Sequence, residues 1–177
     1  MTTEATPVPS VAVVVPVLDG AATLPDLLRS LNAQRGLAST GRAPEVVVVD
    51  NGSRDGSADV AAGYGVTVLH EPTPGPAAAR NRGLRHVVAD VVAHCDADTV
   101  PSNRWLASLV APFVDEAVHV VGGSNISWPP TTPAQRYVAS TALHDTAMTV
   151  ARDPFPFASS MNLAVRRSTL DAVGGWD

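Results

Sequence analysis

Val91-Val92-Ala93-His94-Cys95-Asp96-Ala97-Asp98 is a short apolar run that ends in two carboxylates two residues apart. A continuous rather than alternating apolar run suits a strand buried on both faces, as in a parallel sheet. Where such a strand runs out, two like charges this close repel and raise each other's pKa. A divalent cation removes that cost, and Mg2+ is typically held by one or two carboxylates together with substrate phosphates. The segment therefore suits a metal and diphosphate site at the carboxyl edge of a sheet. It equally suits a plain polar loop start, since Asp is common where strands end.

Working outward, the same kind of run recurs. Val11 to Val15 is stopped by Pro16, Val46 to Val49 ends at Asp50, and Val66 to Leu69 and Val118 to Val121 are shorter. Helical patterns lie between them. Leu24, Leu27, Leu28 and Leu31 recur at helical spacing behind Thr23 as N-cap. Ser57 to Tyr64 and Ala77 to Val88 also read as helices, as does Ser102 to Val114 with Pro101 at its first turn. Gly36 to Pro44 reads as loop. Strands alternating with helices predict an α/β fold with a mainly parallel sheet. In such sheets ligands bind beyond the carboxyl ends of the strands. Three of these ends are polar: Pro16-Val17-Leu18-Asp19, Asp50-Asn51-Gly52-Ser53 and Asp96-Ala97-Asp98.

The later part changes character. Trp128-Pro129-Pro130 breaks the alternation, residues 133–150 are helical but weakly patterned, and Asp153-Pro154-Phe155-Pro156-Phe157 is an irregular loop. A short strand over Leu163 to Val165 and a short helix over Ser168 to Val173 follow, the helix stopped by Gly174-Gly175. The expected organisation is a disordered lead-in over 1–9, an α/β half over 10–123 and the start of a second half over 124–177.

Composition narrows the function. At 177 residues the chain is one domain or most of one, and 45% hydrophobic content supports an ordinary core. A net charge of -5 argues against a nucleic-acid partner, which calls for a basic footprint. There is no Lys, so every fixed positive charge is Arg. The single Cys95 excludes an internal disulfide and a multi-Cys metal site, and its apolar setting reads as a buried small hydrophobe. The first residues carry no signal-peptide pattern. Apolar runs of about five residues fall far short of the roughly 20 that span a bilayer, so the expected location is the cytoplasm. The five His residues show no metal-site spacing, and His94 reads as a satisfied core residue. Trp105 reads as core and Arg166-Arg167 as surface charge. Ser159-Ser160 lacks the Gly-x-Ser-x-Gly elbow of a nucleophile. Pro16-Val17-Leu18-Asp19-Gly20 lacks the Gly-x-Gly-x-x-Gly turn of a dinucleotide-dependent oxidoreductase, and the Gly-rich basic loop of a sugar nucleotidyltransferase.

Val46-Val47-Val48-Val49-Asp50-Asn51-Gly52-Ser53-Arg54-Asp55-Gly56-Ser57 resembles the signature of family-2 glycosyltransferases. Four further stretches agree in order and spacing. They are the strand ending in Pro16, Gly75-Pro76-Ala77-Ala78-Ala79-Arg80-Asn81-Arg82-Gly83, the Asp96-Ala97-Asp98 motif, and Met161-Asn162-Leu163-Ala164-Val165-Arg166-Arg167 with Gly174-Gly175-Trp176-Asp177. The resemblance covers about residues 10 to 177. It implies a GT-A type fold, a Rossmann-like, mainly parallel sheet flanked by helices, here with an incomplete acceptor-side portion. It also implies an inverting transfer of a sugar from a nucleotide-diphosphate donor to a glycan, lipid or small-molecule hydroxyl.

Residue by residue, the resemblance implies that Asp50 meets the nucleotide base, with Pro16 and Asp19 alongside base or ribose. Arg80 and Asn81 sit on a helix flanking the nucleotide, with Arg80 near the base or diphosphate. Asp96 faces the ribose, and Asp98, across Ala97, coordinates Mg2+ or Mn2+ bridging the diphosphate. Such a cation stabilises charge as it develops on the leaving group. Trp128, Asn162, Gly174, Gly175, Trp176 and Asp177 fall on the acceptor side, where aromatic faces pack well on sugar rings. Small residues at Ser159-Ser160 let a backbone approach the donor sugar. An inverting reaction needs a base for the acceptor hydroxyl. Relatives place it, an Asp often in a Glu-Asp pair, on a helix after the Gly-Gly-aromatic-Asp stretch, with which this chain ends. The expectation is a truncated chain whose usual base, and any membrane segments, lie downstream. Its alternative is a nucleotide-sugar-binding module without turnover. Asp177 is the one candidate base that a motif offers here; Asp145 and Asp153 have no motif support.

Overall fold

The computed structural model describes residues 9–37, 43–141, 150–151 and 157–177. Residues 1–8 of the expected lead-in over 1–9, part of the Gly36–Pro44 loop, Asp145 and Asp153 lie outside the described residues. Valine-rich runs form the strands, as β-branched side chains fit a pleated surface covered on both faces. They are β1 (Val11–Val17), β2 (Glu45–Asp50), β3 (Thr67–His70), β4 (Val91–Cys95), β5 (Val120–Gly122) and β6 (Asn162–Arg166), in the order β3-β2-β1-β4-β6-β5. β1 pairs in parallel with β2 and β4, and β2 with β3. β6 runs antiparallel between β4 and β5, so the later part of the chain completes the sheet of the earlier part.

The side-chain period of two divides the core. Val13, Val15 and Val17 point into one cluster with Leu24, Leu27, Leu28 and Leu31 of α1 (Leu24–Asn32) and with Leu106 and Leu109 of α4 (Trp105–Val110). Ala61 of α2 (Ser57–Gly63) joins the same cluster. Ala12 and Val14 point the other way, towards Ala79 and Leu84 of α3 (Pro76–His86). The strand tips are thereby held between helices on both faces.

Four expectations change. Pro16 does not end β1 but pairs with Val49 inside it. The Val17 carbonyl faces β2, accepting from Asn51 N–H, so alternation turns Pro16 towards β4. There the ladder ends at Val14 opposite His94, and the missing N–H leaves no gap. Thr23 does not cap α1 with its side chain, because its backbone is already helical (φ -102, ψ -32) and its hydroxyl donates to the Gly20 carbonyl. The predicted helix over Ser102 to Val114 contracts to α4 and a 3-10 turn over Ala111–Val114, where Pro112 lacks the N–H to continue an α-helix. Arg166 is not free surface charge: its guanidinium donates to the Val118, Phe113 and Asp115 carbonyls and lies over the Phe113 ring. Of the helical stretch expected over 133–150, α5 (Pro133–Ser140) is described and 142–149 lie outside the described residues; the last helix, α6 (Arg167–Val173), ends at Gly174 in the left-handed region as the pattern predicts.

Candidate functional site

The carboxyl tips of β1, β2 and β4 open on one edge, and their loops are laced together. Asp19 N–H donates to Ser53 Oγ at 3.0 Å, and Asp19 Oδ1 accepts from Arg54 N–H at 2.8 Å. Asp19 is the one non-glycine described residue at positive φ (51°), a conformation that Asp tolerates better than most residues. Gly20 N–H donates to Ser57 Oγ and Ala21 N–H to Asp55 Oδ2. A Cβ on Gly20 would stand 2.7 Å from Val17 Cγ2 and 3.4 Å from Ala97, so this loop lies against the β4 tip.

Asp50 is buried at the end of β2. Its Oδ1 accepts from Ser53 N–H at 3.1 Å, and its Oδ2 lies 3.3 Å from His70 Nδ1. Burial pushes this carboxyl up, but the Ser53 hydrogen bonds and His70 together hold it below its ordinary value. Sequence reading passed over Asn51. Its Nδ2 donates to the Glu71 and Thr73 carbonyls, and its Oδ1 accepts from Gly75 N–H. One amide thus fixes the Pro-rich loop that delivers the first turn of α3. The available signal was a side chain built for loop hydrogen bonds standing at a strand end.

At the β4 tip, Arg80 of α3 donates to Asp96 Oδ1 at 3.0 Å. Burial raises the Asp96 pKa, Arg80 opposes the rise and Asp98 adds to it. Asp50 stands two strands from this tip, about 10 Å at the usual strand spacing. A cleft of about 660 Å³ opens beside Asp96 and Asp98, walled by Trp105, Trp128, Met161 and Asn162 among others. Asp19, Asp50 and Arg80 lie outside that cleft. Asn162 is spent on its walls: Oδ1 accepts from Trp105 Nε1 at 2.7 Å, and Nδ2 donates to the Ser124 carbonyl at 2.9 Å. Trp128 is mostly exposed, whereas Trp105 is buried.

No group of three or more His, Cys, Asp or Glu able to cage a metal occurs among the described residues. Two carboxylates fit a cation that draws its other ligands from water and phosphate, as Mg2+ does. Cys95 is buried, and burial pushes its thiol up to about 12, leaving it inert. No described helix is long and apolar enough to cross a membrane.

Gly174 and Gly175, both at positive φ, turn the chain after α6 towards α3. There Asn81 binds the Trp176 main chain at two points. Nδ2 donates to the Trp176 carbonyl at 2.7 Å, and Oδ1 accepts from Trp176 N–H at 2.8 Å. The Trp176 ring lies against the Arg80 guanidinium (5.9 Å to the ring centroid) and edge-on to His94 (5.0 Å). His94 is core, as expected, but not satisfied: neither ring nitrogen has a well-formed hydrogen bond. Burial first, then the Arg80 charge, pushes its pKa down to about 3, with only the Val14 backbone acting the other way. The ring is therefore neutral.

The family described as glycosyl transferase family 2 matches residues 12–174. The pre-mycofactocin glycosyltransferase of Mycobacterium tuberculosis is 35% identical over 176 residues, covering 94% of this chain and 35% of that protein. Glycosyltransferase AglE of Haloferax volcanii is 29% identical over 174 residues, covering 94% of this chain and 55% of that one. A solved mannosyltransferase from Pyrobaculum calidifontis, in complex with GDP-Man and Mn2+, superposes with a TM-score of 0.72 at 26% identity over 96% of this chain and 48% of its own. Glucosyl-3-phosphoglycerate synthase from Mycobacterium tuberculosis, in complex with Mg2+ and UDP, shares the fold at 24% identity, with a TM-score of 0.67 over 92% of this chain and 58% of its own. The chain thus spans 35% and 55% of the two curated relatives named.

Proposed function

From the premise that the chain belongs to glycosyl transferase family 2 and has the GT-A type fold, we propose that it takes part in moving a sugar from a nucleotide-diphosphate donor to an acceptor hydroxyl, with metal assistance and inversion. The observation that carries this reading is the shared edge: Asp50, with Asp96-Ala97-Asp98 two strands away, and loops laced by Ser53 and Ser57 between them. The mannosyltransferase named above, which binds GDP-Man and Mn2+, supports the same ligand class here.

Asp50 offers a carboxylate, kept ionised by Ser53 and His70, to a ring N–H of the base. Pro16 and Asp19 flank the base or ribose. Asp96, held by Arg80, accepts from the ribose hydroxyls. Arg80 itself is nearly buried, so it acts through Asp96 rather than as a free phosphate clamp. Asp98 holds the cation, with Asp96 the nearby second carboxylate. Mg2+ or Mn2+ held there would supply Lewis-acid stabilisation of the charge on the departing diphosphate. The cleft beside Asp98, walled by Trp105 and Trp128, receives the acceptor, a glycan, lipid or small molecule bearing a hydroxyl.

A thermal-shift panel of UDP-, GDP- and dTDP-sugars, each with and without Mn2+, tests the assignment. A ligand that binds only the folded state stabilises it by about 2.7 kcal/mol at 100 times its Kd. At least one donor raises the melting temperature, and more so with Mn2+. A panel in which no donor shifts the transition overturns the assignment.

A further inference from the structure

The Gly174-Gly175-Trp176 turn and the Arg80–Asp96 pair meet across 95 residues of chain, through Asn81. Arg80 and Asn81 are consecutive on α3, so one reaches the β4 tip while the other reaches the turn. Both polar atoms of the Asn81 amide are spent on the main chain of a single residue, Trp176. A Cβ at position 175 would overlap Asn81 Oδ1, and the positive φ of both glycines disfavours any side chain there. The turn is therefore shaped to seat the Trp176 ring in one place.

That place is against Arg80. Among the described residues the guanidinium makes one hydrogen bond, to Asp96, and its Nε has no partner. A planar cation with a single anchor can swing about it. The ring, 5.9 Å from Cζ, removes that freedom, just within the roughly 6 Å reach of a cation–π contact. On the ring's other contact stands His94, which burial keeps uncharged, so no second cation competes for the ring.

We infer that Trp176, seated by Asn81, is a positioning residue that holds Arg80 and through it aims the Asp96 carboxylate, coupling the turn after α6 to the donor site. The coupling deepens the donor assignment made above and rests on it. Asn81 thereby acts on the main chain of Trp176 rather than on the nucleotide.

The test is a double-mutant cycle on nucleotide-diphosphate affinity, measured by calorimetry with UDP, GDP or dTDP in Mn2+ at a temperature where every variant is folded. Trp176→Leu weakens binding about tenfold, as expected for loss of a partly desolvated cation–π contact. Trp176→Phe keeps an aromatic face and restores most of the affinity. Asn81→Ala, which leaves the ring intact, weakens binding in the same direction. In an Asp96→Asn background the Trp176→Leu effect disappears, because coupled residues are not additive. An undiminished effect in that background means general loosening of the fold and overturns the inference. So does full wild-type affinity in both Trp176→Leu and Asn81→Ala, with the donor assignment left standing. A wild-type chain that binds none of UDP, GDP and dTDP removes the donor assignment and the inference together.

Discussion

At the tips of β1 and β2 the polar side chains bond across to the next loop: Asp19 to Arg54, Ser57 to Gly20, Asn51 to Gly75. Over residues 124–141 the bonds are mostly local. Thr132 and Gln135 close a capping box on α5, and Ser140 and Thr141 donate to carbonyls three residues back. None of the described α5 side chains is buried. Both regions obey their local signals. Only the first turns those signals into tertiary order, and it does so at the edge where the donor site is proposed. A helix of eight residues is marginal by itself, since most helical stability comes from packing an apolar face.

The largest effect that would sharpen this contrast is a truncation in the α/β half. Leu106, fully buried between α4 and the sheet, loses about 2–5 kcal/mol of stability as Leu106→Ala in urea unfolding. Gly83→Ala comes next. Its Cβ would overlap Val14 Cγ1 where α3 packs on β1, and overpacking costs about 1–3 kcal/mol despite the better helix propensity of Ala.

His94 gives a smaller effect with a sign set by pH. Its folded pKa of about 3 lies below its unfolded value near 6.5, so the unfolded chain takes up the proton first. The His94 contribution to stability therefore falls as pH drops below about 6.5, with a slope approaching 1.4 kcal/mol per pH unit. Asp96, whose carboxyl is raised, works in the opposite sense as it protonates. The difference between wild type and His94→Leu isolates the histidine: thermal melts at pH 7 and pH 5 show the gap moving in the variant's favour. A gap independent of pH shows that His94 reaches solvent.

The smallest effect is Tyr137→Ala on α5, within about 0.5 kcal/mol because the side chain is 72% exposed. A loss comparable to that of Leu106→Ala would break the comparison and show α5 to be a packed element.

The α/β half was legible because its signals are local. Valine-rich runs with Leu-patterned or Ala-rich segments between them predict the mainly parallel sheet, whose β1, β2 and β4 tips open on one edge. What escaped was non-local. The alternation that lets Pro16 sit inside β1 depends on where β4 stops pairing. The carbonyls that Arg166 binds, and the Trp176 main chain that Asn81 holds, lie 48 to 95 residues away in sequence. Asn51 lies between, in a segment whose turn chemistry was visible while its partners were not. The antiparallel entry of β6 between β4 and β5 is likewise a topological fact that no periodicity carries.

The central claim is that Asp98 grips a cation and, through it, the phosphates of an activated sugar. Calorimetry of UDP and GDP into wild type and Asp98→Asn, with and without Mn2+, tests it most directly. Metal-dependent affinity falls by at least about tenfold in the variant, since loss of even an outer-shell partner costs that much, while the small metal-free affinity stays the same. Equal Mn2+-dependent affinity in both proteins contradicts the account.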